Sequence, residues 1–435
     1  MDDLRNKRVV VMGLGRFGGG IGVARWLVRQ GAQVLVTDKA SPEALAEAVG
    51  CLQGLPIEYR LGEHRQEDFT TADLVVASPA VPPGNNFLQA ARTAGVPIST
   101  EIRIFVERCA APIYGVTGTK GKSTTTALLG RMLGRKTQTH VGGNIGGSLL
   151  FELPRIAAEH LVVLELSSFM LEYLAEARWS PHVAVVTMIA ADHLDRHGTP
   201  QAYVDAKKNI LRFQSANDVV VLNERCSAAA QFAAATAGRV IYFGLENRRR
   251  FSLLLPGEHN QLNAQAAFAA ATVAGVSWDE AQQAVADFRG LPHRMELVHE
   301  HNGVRYYDDS IATIPEAAAA ALCAFEPRKV IQIVGGSDKK LPLDVMISAL
   351  GQRAKAVLCI GTTGPRIAEA LGQAVLVGSA PAYRCGDLPT AMRQARALAG
   401  PGDVVLLSPG CASYDQFANF EQRGELFAKL ARESR

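Results

Sequence analysis

The stretch GVTGTKGKSTTTALLG, Gly115 to Gly130, decides the fold. Its first residues continue the apolar run of APIYGVTG, which predicts a buried strand. Beyond it, STTTALLGRML places Leu128, Leu129, Met132 and Leu133 on one face of a helix. A strand, a glycine-rich turn and a helix in that order make a phosphate cradle, because backbone N–H groups of the turn and of the helix N-terminus point at the anion. Lys122 then reaches the β- and γ-phosphates, and the Ser123 hydroxyl is offered to Mg²⁺. The spacing departs from the common loop, which keeps four residues between its first Gly and the Gly-Lys pair. Here Val116 stands five before Gly121, and the nearest glycines are Gly118 and Gly115, so the loop is compressed.

The same alternation extends to both sides. Strand-like runs include RVVVMG, AQVLVTD, DLVVASP, HLVVLELSS, HVAVVTMI, DVVVLN, KVIQIVGG, KAVLCIG and DVVLLSPG. Helix-like stretches such as GVARWLVRQG, NAQAAFAAATVAGV and TAMRQARALAG lie between them. This pattern means parallel sheets flanked by helices. Boundaries are expected near Cys109 to Pro112, just before the loop strand, and near GLPHRMEL, where Gly-Leu-Pro interrupts a helical pattern. The expected organisation is α/β in three domains. Residues 1–109 form a Rossmann-like N-terminal domain, 110–292 a central P-loop ATPase domain with a parallel sheet, and 293–435 a C-terminal Rossmann-like α/β domain.

Composition narrows the function classes. Of the 435 residues 48% are apolar, enough for sizeable cores, and a net charge of +3 argues against a dominant nucleic-acid field. The seven cysteines are scattered without a Cys-x-x-Cys, so neither a zinc site nor a disulfide framework is indicated, and a cytoplasmic location is expected. MDDLRNKRVVVMG enters a strand-like run without a signal-peptide pattern, and no apolar run reaches the roughly 18 residues of a membrane helix.

Several further motifs carry chemistry. In VVVMGLGRFGGG, Gly13-x-Gly15-x-x-Gly18 follows a strand and precedes a helix, and Asp38 closes the next strand. Such glycines let the backbone approach a diphosphate, while the acid bonds a sugar or base; a dinucleotide and another nucleotide diphosphate fit equally. In LVVLELSSF, Glu165 ends a buried strand, where open sheets place ligands, and a carboxylate there needs a partner or a metal. MIAADHLDRHG clusters Asp192, His193 and Asp195 at another strand end. YVDAKKNIL sets Lys207 beside Lys208; neighbouring positive charge favours a neutral amine, which can add CO₂ and become a carbamate. Asn263 lies near a helix start, and polar loops carrying Arg294, Asp309, Thr313, Lys339, Ser413 and Phe420 recur in the C-terminal third.

Together, GTKGKST, LELSSF, DHLDRHG, GLPHR, DDSIAT and SPGCASYDQFANFEQRG resemble the Mur ligases, ATP-dependent enzymes that build the peptidoglycan peptide stem. The resemblance spans essentially the whole chain, in the family's order, and is strongest to the glutamate-adding branch. It implies an N-terminal domain for a UDP-sugar, a central ATPase domain, and a C-terminal domain that closes on ATP and receives the amino acid. The compressed loop is then the family's form, and the first glycine-rich turn holds UDP rather than NAD.

By the same resemblance, Gly15, Arg16, Phe17, Asp38, Lys39, Ser78, Pro79 and Asn144 hold the UDP-sugar. Gly118, Thr119, Lys120, Gly121, Lys122, Ser123, Thr124, Asn263, Arg294 and Asp309 contact ATP. Ser123, Glu165, His193 and a carbamylated Lys207 organise two Mg²⁺ ions; Lys207 is chosen over Lys208 for its spacing from Tyr203. Lys122, His193, Lys207 and Glu165 are the catalytic set, and Thr313, Lys339, Ser413 and Phe420 surround glutamate. The implied reaction joins glutamate to UDP-N-acetylmuramoyl-L-alanine through an acyl phosphate, giving ADP and phosphate. A monomer is expected, without nucleic-acid partners or membrane insertion.

Three positions depart from the best-known members: Lys120 replaces an Asn, Met170 a Gln, and Ile311 a Lys. GTKGKST and DSIAT are similar to a branch that adds L-glutamate, whereas DQFANFEQRG is similar to the D-glutamate branch. D-Glutamate is the expectation and L-glutamate the alternative. An NAD-dependent oxidoreductase is the more distant alternative, and it leaves the phosphate loop unexplained.

Overall fold

The computed structural model describes residues 3–14, 19–190, 192–246, 249–373 and 380–433. Valine-rich runs near the N-terminus form β1 (Arg8–Met12), β2 (Gln33–Asp38) and β4 (Leu74–Ala77), joined by β3 (Ile57–Leu61) and β5 (Ile98–Ser99). Their order is β3-β2-β1-β4-β5 and all pairs are parallel. The direction of winding reverses between β1 and β4, the place where open sheets leave a crevice for ligands.

The second sheet contains β6 (Ile113–Thr117), β7 (Thr139–Gly143), β8 (Leu161–Glu165), β9 (Val183–Val186), β10 (Val219–Asn223) and β11 (Arg239–Phe243). Its order is β11-β10-β9-β6-β8-β7, again wholly parallel. The phosphate loop leaves β6, between its neighbours β8 and β9, and leads into the helix Lys122–Leu133. Leu128, Leu129, Met132 and Leu133 are fully buried on that helix, as its periodicity predicts.

The third sheet contains β12 (Glu296–His301), β13 (Val304–Asp308), β14 (Val330–Gly335), β15 (Ala354–Ile360), β16 (Ala382–Gly386) and β17 (Val404–Leu407), ordered β12-β13-β17-β14-β15-β16. Only the β12–β13 pair is antiparallel. Its turn is Asn302-Gly303, both at positive φ, the conformation a two-residue hairpin needs to match strand twist. Alternation puts Val330 and Val334 in one apolar layer and Ile331 and Ile333 in the opposite one, so helices cover both faces.

The chain divides into two compact units, Met1–Arg249 with Leu262–Ala284, and Arg250–Gln261 with Val285–Arg435. The first two sheets lie in the first unit and share one apolar cluster, running from Val9 and Val11 to Leu164 and Ala184. The third sheet has its own cores in the second unit. The α/β architecture read from the alternating runs is the observed one.

Candidate active site

In the first unit, the loop after β6 is built by backbone conformation and close packing. Gly118 and Gly121 sit at φ +151° and +84°, where side chains are strained. A Cβ at Gly118 would run into Thr187 Oγ1, and one at Gly121 into Asn263 Oδ1. The loop is stitched to the end of β9: Thr119 N donates to Met188 O (2.7 Å), and Thr187 Oγ1 to Lys120 O (2.6 Å). Thr119 Oγ1 donates to Ala190 O (3.0 Å), whose own N–H returns to that hydroxyl (2.9 Å). Lys122 opens the helix and its Nζ donates to Thr119 O at 3.0 Å, folded over the loop; Ser123 is buried beside it. Asn263 accepts from Thr125 Oγ1 (3.4 Å), so a residue remote in sequence is packed against the loop. The arrangement presents a pinned turn leading into a helix N-terminus, a cradle for phosphates.

Glu165 ends β8 beside β6 and is 1% exposed. Its Oε1 accepts from Asn144 Nδ2 at 2.9 Å, and Oε2 has no hydrogen-bond partner among the described residues. A buried carboxylate oxygen without a donor is costly, and a cation relieves that cost. Asn144 was expected with the UDP-sugar; its side chain sits on Glu165, and its N–H also donates to Glu165 O (2.8 Å).

Lys207 lies in the last turn of the helix Pro200–Lys208 and is also 1% exposed. Its Nζ donates to Gly118 O (2.9 Å) and Thr117 Oγ1 (3.5 Å) and lies 4.7 Å over the Tyr203 ring. Burial pushes its pKa down to about 7, and Lys122 pushes the same way, while Asp192 and Glu165 oppose. Sequence reasoning credited a neighbouring charge, meaning Lys208. Burial is the larger cause, the cation that matters is Lys122, and Lys208 is paired with Asp205 at 2.9 Å.

His193 is exposed and in the left-handed region at φ 49°, with its N–H on Asp192 Oδ1 (2.9 Å). Its ring lies 5.1 Å from Phe169 and 6.3 Å from Tyr203, whose hydroxyl donates to Thr119 Oγ1 (3.2 Å). The structure thus gathers Lys122, Ser123, Glu165, Lys207 and His193 around the ends of β6, β8 and β9. Sequence reasoning missed His197, buried against Ser168 Oγ (3.0 Å) and Glu172 (3.6 Å), although DHLDRHG contains it. Among the described residues no three His, Cys, Asp or Glu side chains form a ready metal cluster. The donors present, one orphaned carboxylate, a hydroxyl and an exposed imidazole, fit Mg²⁺ held jointly with phosphate oxygens rather than a closed protein cage.

The first sheet brings its own group together. Asp38, at the end of β2, accepts from Leu14 N and Ala40 N, both at 2.9 Å, bracing the turn after β1. Ser78 follows β4; its N–H donates to Met12 O (2.8 Å), and Gly13 at φ +88° would carry a Cβ 3.0 Å from Ser78 Cβ. Pro79 is half-buried and Lys39 exposed. Gly15, Arg16 and Phe17 lie outside the described residues.

The second unit holds the remaining candidates. Asp309 follows β13, buried, accepting from Ser408 Oγ (2.7 Å) and Met295 N (3.2 Å). Burial raises its pKa to about 7. Arg294 lies in the turn bridged to Leu291, before β12. Lys339, in the loop after β14, donates to Thr313 O and Oγ1, both at 3.3 Å. Ser413, after β17, is buried, and Phe420 opens the helix Phe420–Arg432, with its carbonyl held by Ser310 Oγ (2.8 Å). Arg423, unnoticed in the sequence, is 1% exposed and ties this region together through Ser310 Oγ (2.9 Å), Ser310 O (2.9 Å) and Cys411 O (3.2 Å).

Three family models match the chain in order: a Mur ligase MurD-like N-terminal domain over residues 7–100, a Mur ligase middle domain over 116–252, and a Mur ligase glutamate ligase domain over 293–411. Among curated proteins, the UDP-N-acetylmuramoylalanine–D-glutamate ligase of Roseiflexus sp. (strain RS-1) is 46% identical, with 98% of each chain covered. That of Anaeromyxobacter dehalogenans (strain 2CP-C) is 42% identical, covering 99% of this chain and 98% of its own. Among solved structures, the UDP-N-acetylmuramate-alanine ligase of Thermotoga maritima superposes with a TM-score of 0.62 at 22% identity, covering 99% of this chain and all of its own. The MurF ligase of the same organism, in complex with ADP, gives 0.58 at 18%, covering 99% and 96%. At those identities the structural likeness speaks for the fold.

Proposed function

Because the chain belongs to the Mur ligase family, we propose that it joins D-glutamate to UDP-N-acetylmuramoyl-L-alanine at the expense of ATP, in peptidoglycan precursor synthesis. The observation in the structure that supports this most directly is the phosphate loop beside the orphaned Glu165 oxygen, on the same unit as the converging ends of β1, β2 and β4. Relatives at 46%, 42% and 39% identity are named for D-glutamate, so the L-glutamate alternative is set aside, and family membership displaces the oxidoreductase reading.

A carboxylate acylates poorly because oxide is a poor leaving group. Phosphorylation solves this. The alanine carboxylate attacks the γ-phosphorus of ATP in line, an O–P bond forms, and ADP leaves. The amine of D-glutamate then attacks the acyl carbon, a tetrahedral intermediate collapses, phosphate departs, and the amine loses its proton. Lys122 and the helix N–H groups steady the charge that accumulates on the transferring oxygens. We assign Ser123, Glu165, His193 and a Lys207 carbamate to hold two Mg²⁺ ions; when bound, these supply charge neutralisation at the phosphates. Lys207 supports this role because its buried amine titrates at about 7, so about half of it is neutral at pH 7 and able to add CO₂. Asn144 holds the Glu165 carboxylate in orientation. Asp38, Lys39, Ser78 and Pro79, with Gly15, Arg16 and Phe17, are assigned to the UDP-sugar. Gly118 to Thr124, Asn263, Arg294 and Asp309 are assigned to ATP, and Thr313, Lys339, Ser413 and Phe420 to glutamate.

We place the enzyme in the cytoplasm as a monomer; its free cysteines fit a reducing compartment. Among the described residues, no helix is long and apolar enough to cross a membrane. The test is ADP release with UDP-N-acetylmuramoyl-L-alanine and each glutamate enantiomer in turn. Turnover dependent on both the sugar nucleotide and the D-enantiomer is expected. Equal rates with L-glutamate, or ADP release indifferent to the sugar nucleotide, would overturn the assignment.

A further inference from the structure

Resting on that reading, we infer that Arg196 is a positioning residue that fixes the UDP-sugar loop to the element carrying His193. The loop after β4 reads SPAVPP, Ser78 to Pro83, and begins with two residues assigned to the sugar nucleotide. Three of its six residues are proline, so half of it has no N–H to donate, and its carbonyls need donors from elsewhere.

Arg196 supplies them. Its Nη1 donates to Ala80 O at 2.8 Å, and Nη2 reaches Val81 O at 3.4 Å and Pro79 O at 3.5 Å. Nη2 also pairs with Glu172 Oε2 at 2.7 Å, and the guanidinium lies 4.7 Å over the Phe169 ring. That ring is the one beside His193. Tyr173 adds a second hold, its hydroxyl donating to Val81 O at 2.7 Å. The Arg196 side chain is 9% exposed, so this is an enclosed clamp and not a surface ion pair.

Only a planar fork of donors spans consecutive carbonyls and an acid while stacking on an aromatic face; a lysine provides a single point. Residues 78–81 and His193 come from different sheets, yet one side chain sets their separation. The consequence is specific. Loosening the clamp frees the sugar loop and leaves the phosphate loop, pinned by Thr119 and Thr187, as it was.

The test is titration calorimetry of UDP-N-acetylmuramoyl-L-alanine binding without nucleotide, paired with ATP binding and steady-state kinetics. Arg196→Met keeps the apolar stem and is expected to weaken sugar-nucleotide binding by about tenfold or more, the loss of several charge-assisted bonds. Arg196→Lys should fall between it and wild type. KM for the sugar nucleotide should rise in parallel, with ATP affinity and kcat at saturation little changed. Tyr173→Phe removes one hydrogen bond to the same loop without disturbing a charge, and about a threefold weakening is expected; it carries the test if Arg196→Met does not fold. Combined with Arg196→Lys it should be non-additive, since both act on Val81 O. Unchanged sugar-nucleotide affinity in Tyr173→Phe and the Arg196 variants overturns the inference, as does an equal fall in sugar and ATP affinity, which means general loosening. Failure of the parent reading looks different: wild type itself then releases no ADP with the sugar nucleotide and D-glutamate.

Discussion

Replacing Lys207 by Arg isolates the chemistry assigned to its amine. An ordinary lysine titrates near 10.5, so at about pH 7.5 roughly one in a thousand is neutral. Burial and Lys122 bring Lys207 to about 7, which makes roughly three-quarters of it neutral at the same pH. The share of amine able to add CO₂ therefore rises by roughly a thousandfold. Arginine keeps a cation near Gly118 O but stays protonated and forms no carbamate. Wild type supplied with ¹³C-bicarbonate should show a carbamate carbon by NMR that Lys207→Arg lacks, and its ADP release should fall when CO₂ is stripped and recover when it is restored. Lys207→Arg should lose at least about a hundredfold in turnover, in line with loss of a metal-holding anion. Lys207→Ala leaves room for a substitute, so added acetate or propionate should restore part of its activity. Turnover within twofold of wild type in Lys207→Arg, or a wild type with no carbamate signal and no CO₂ dependence, would refute the reasoning.

Lys122→Ala should leave UDP-sugar affinity within about twofold while ADP release falls at least about a thousandfold, since it removes a charge aimed at the transferring phosphate; calorimetry and coupled ADP detection read the two effects. Gly121→Ala combines φ +84° with a collision at Asn263, so it should cost about 1–3 kcal/mol in denaturant unfolding and weaken ATP binding before sugar-nucleotide binding. Asp309→Asn tests burial of a carboxyl. The folded pKa, about 7, is raised above the ordinary 3.8, so the native state binds the extra proton between these values. The stability from this group is complete below about pH 4 and is lost as pH rises through 7, up to about 4 kcal/mol. Wild type should therefore lose stability relative to Asp309→Asn over that window, and parallel pH–stability curves would count against it.

The strand runs read from the sequence correspond to β1, β2, β4, β6, β8, β9, β10, β14, β15 and β17. Of the strands not read, β3, β5, β7, β11, β12 and β16 lie at sheet edges, and only β13 is interior. An edge strand buries less of its surface, so it lacks the continuous apolar run of a parallel-sheet interior: β11 is RVIYF with Tyr242 exposed, and β7 is THVGG. β13, VRYYD, is hidden by an arginine at its start and an aspartate at its end. The candidate site follows the same logic. Glu165 closes an apolar run, and Lys122 follows another across a glycine-rich turn, where the pattern itself points. Arg196, His197 and Arg423 act through loop carbonyls and buried hydroxyls, contacts that no local periodicity encodes. Asn144 could be placed in a motif, but its partner Glu165 is known only once β7 pairs with β8.

One apolar cluster underlying both the sugar-loop sheet and the phosphate-loop sheet has a mechanistic consequence. In-line phosphoryl transfer needs the attacking carboxylate and the γ-phosphorus held within a few tenths of an ångström of their reacting geometry. Side chains packed in a shared core do not shift independently, because interiors are dense and resist small displacements. Folding thus sets the sugar-loop and phosphate-loop rims within the first unit: Ser78 is anchored to β1, Thr119 to the end of β9, and Arg196 joins the two. The residues we assign to glutamate, Thr313, Lys339, Ser413 and Phe420, belong to the other compact unit, which has cores of its own and also carries Arg294 and Asp309, assigned to ATP. Such a division favours an order of events in which acyl phosphate forms on a preset scaffold and the amine arrives second. Rapid-quench experiments should then detect ADP formation in a first turnover without glutamate, at a rate set by Lys122 and insensitive to Lys339→Ala. If Lys339→Ala slows that first turnover as much as it slows complete amide formation, the two halves are not separable and the argument fails.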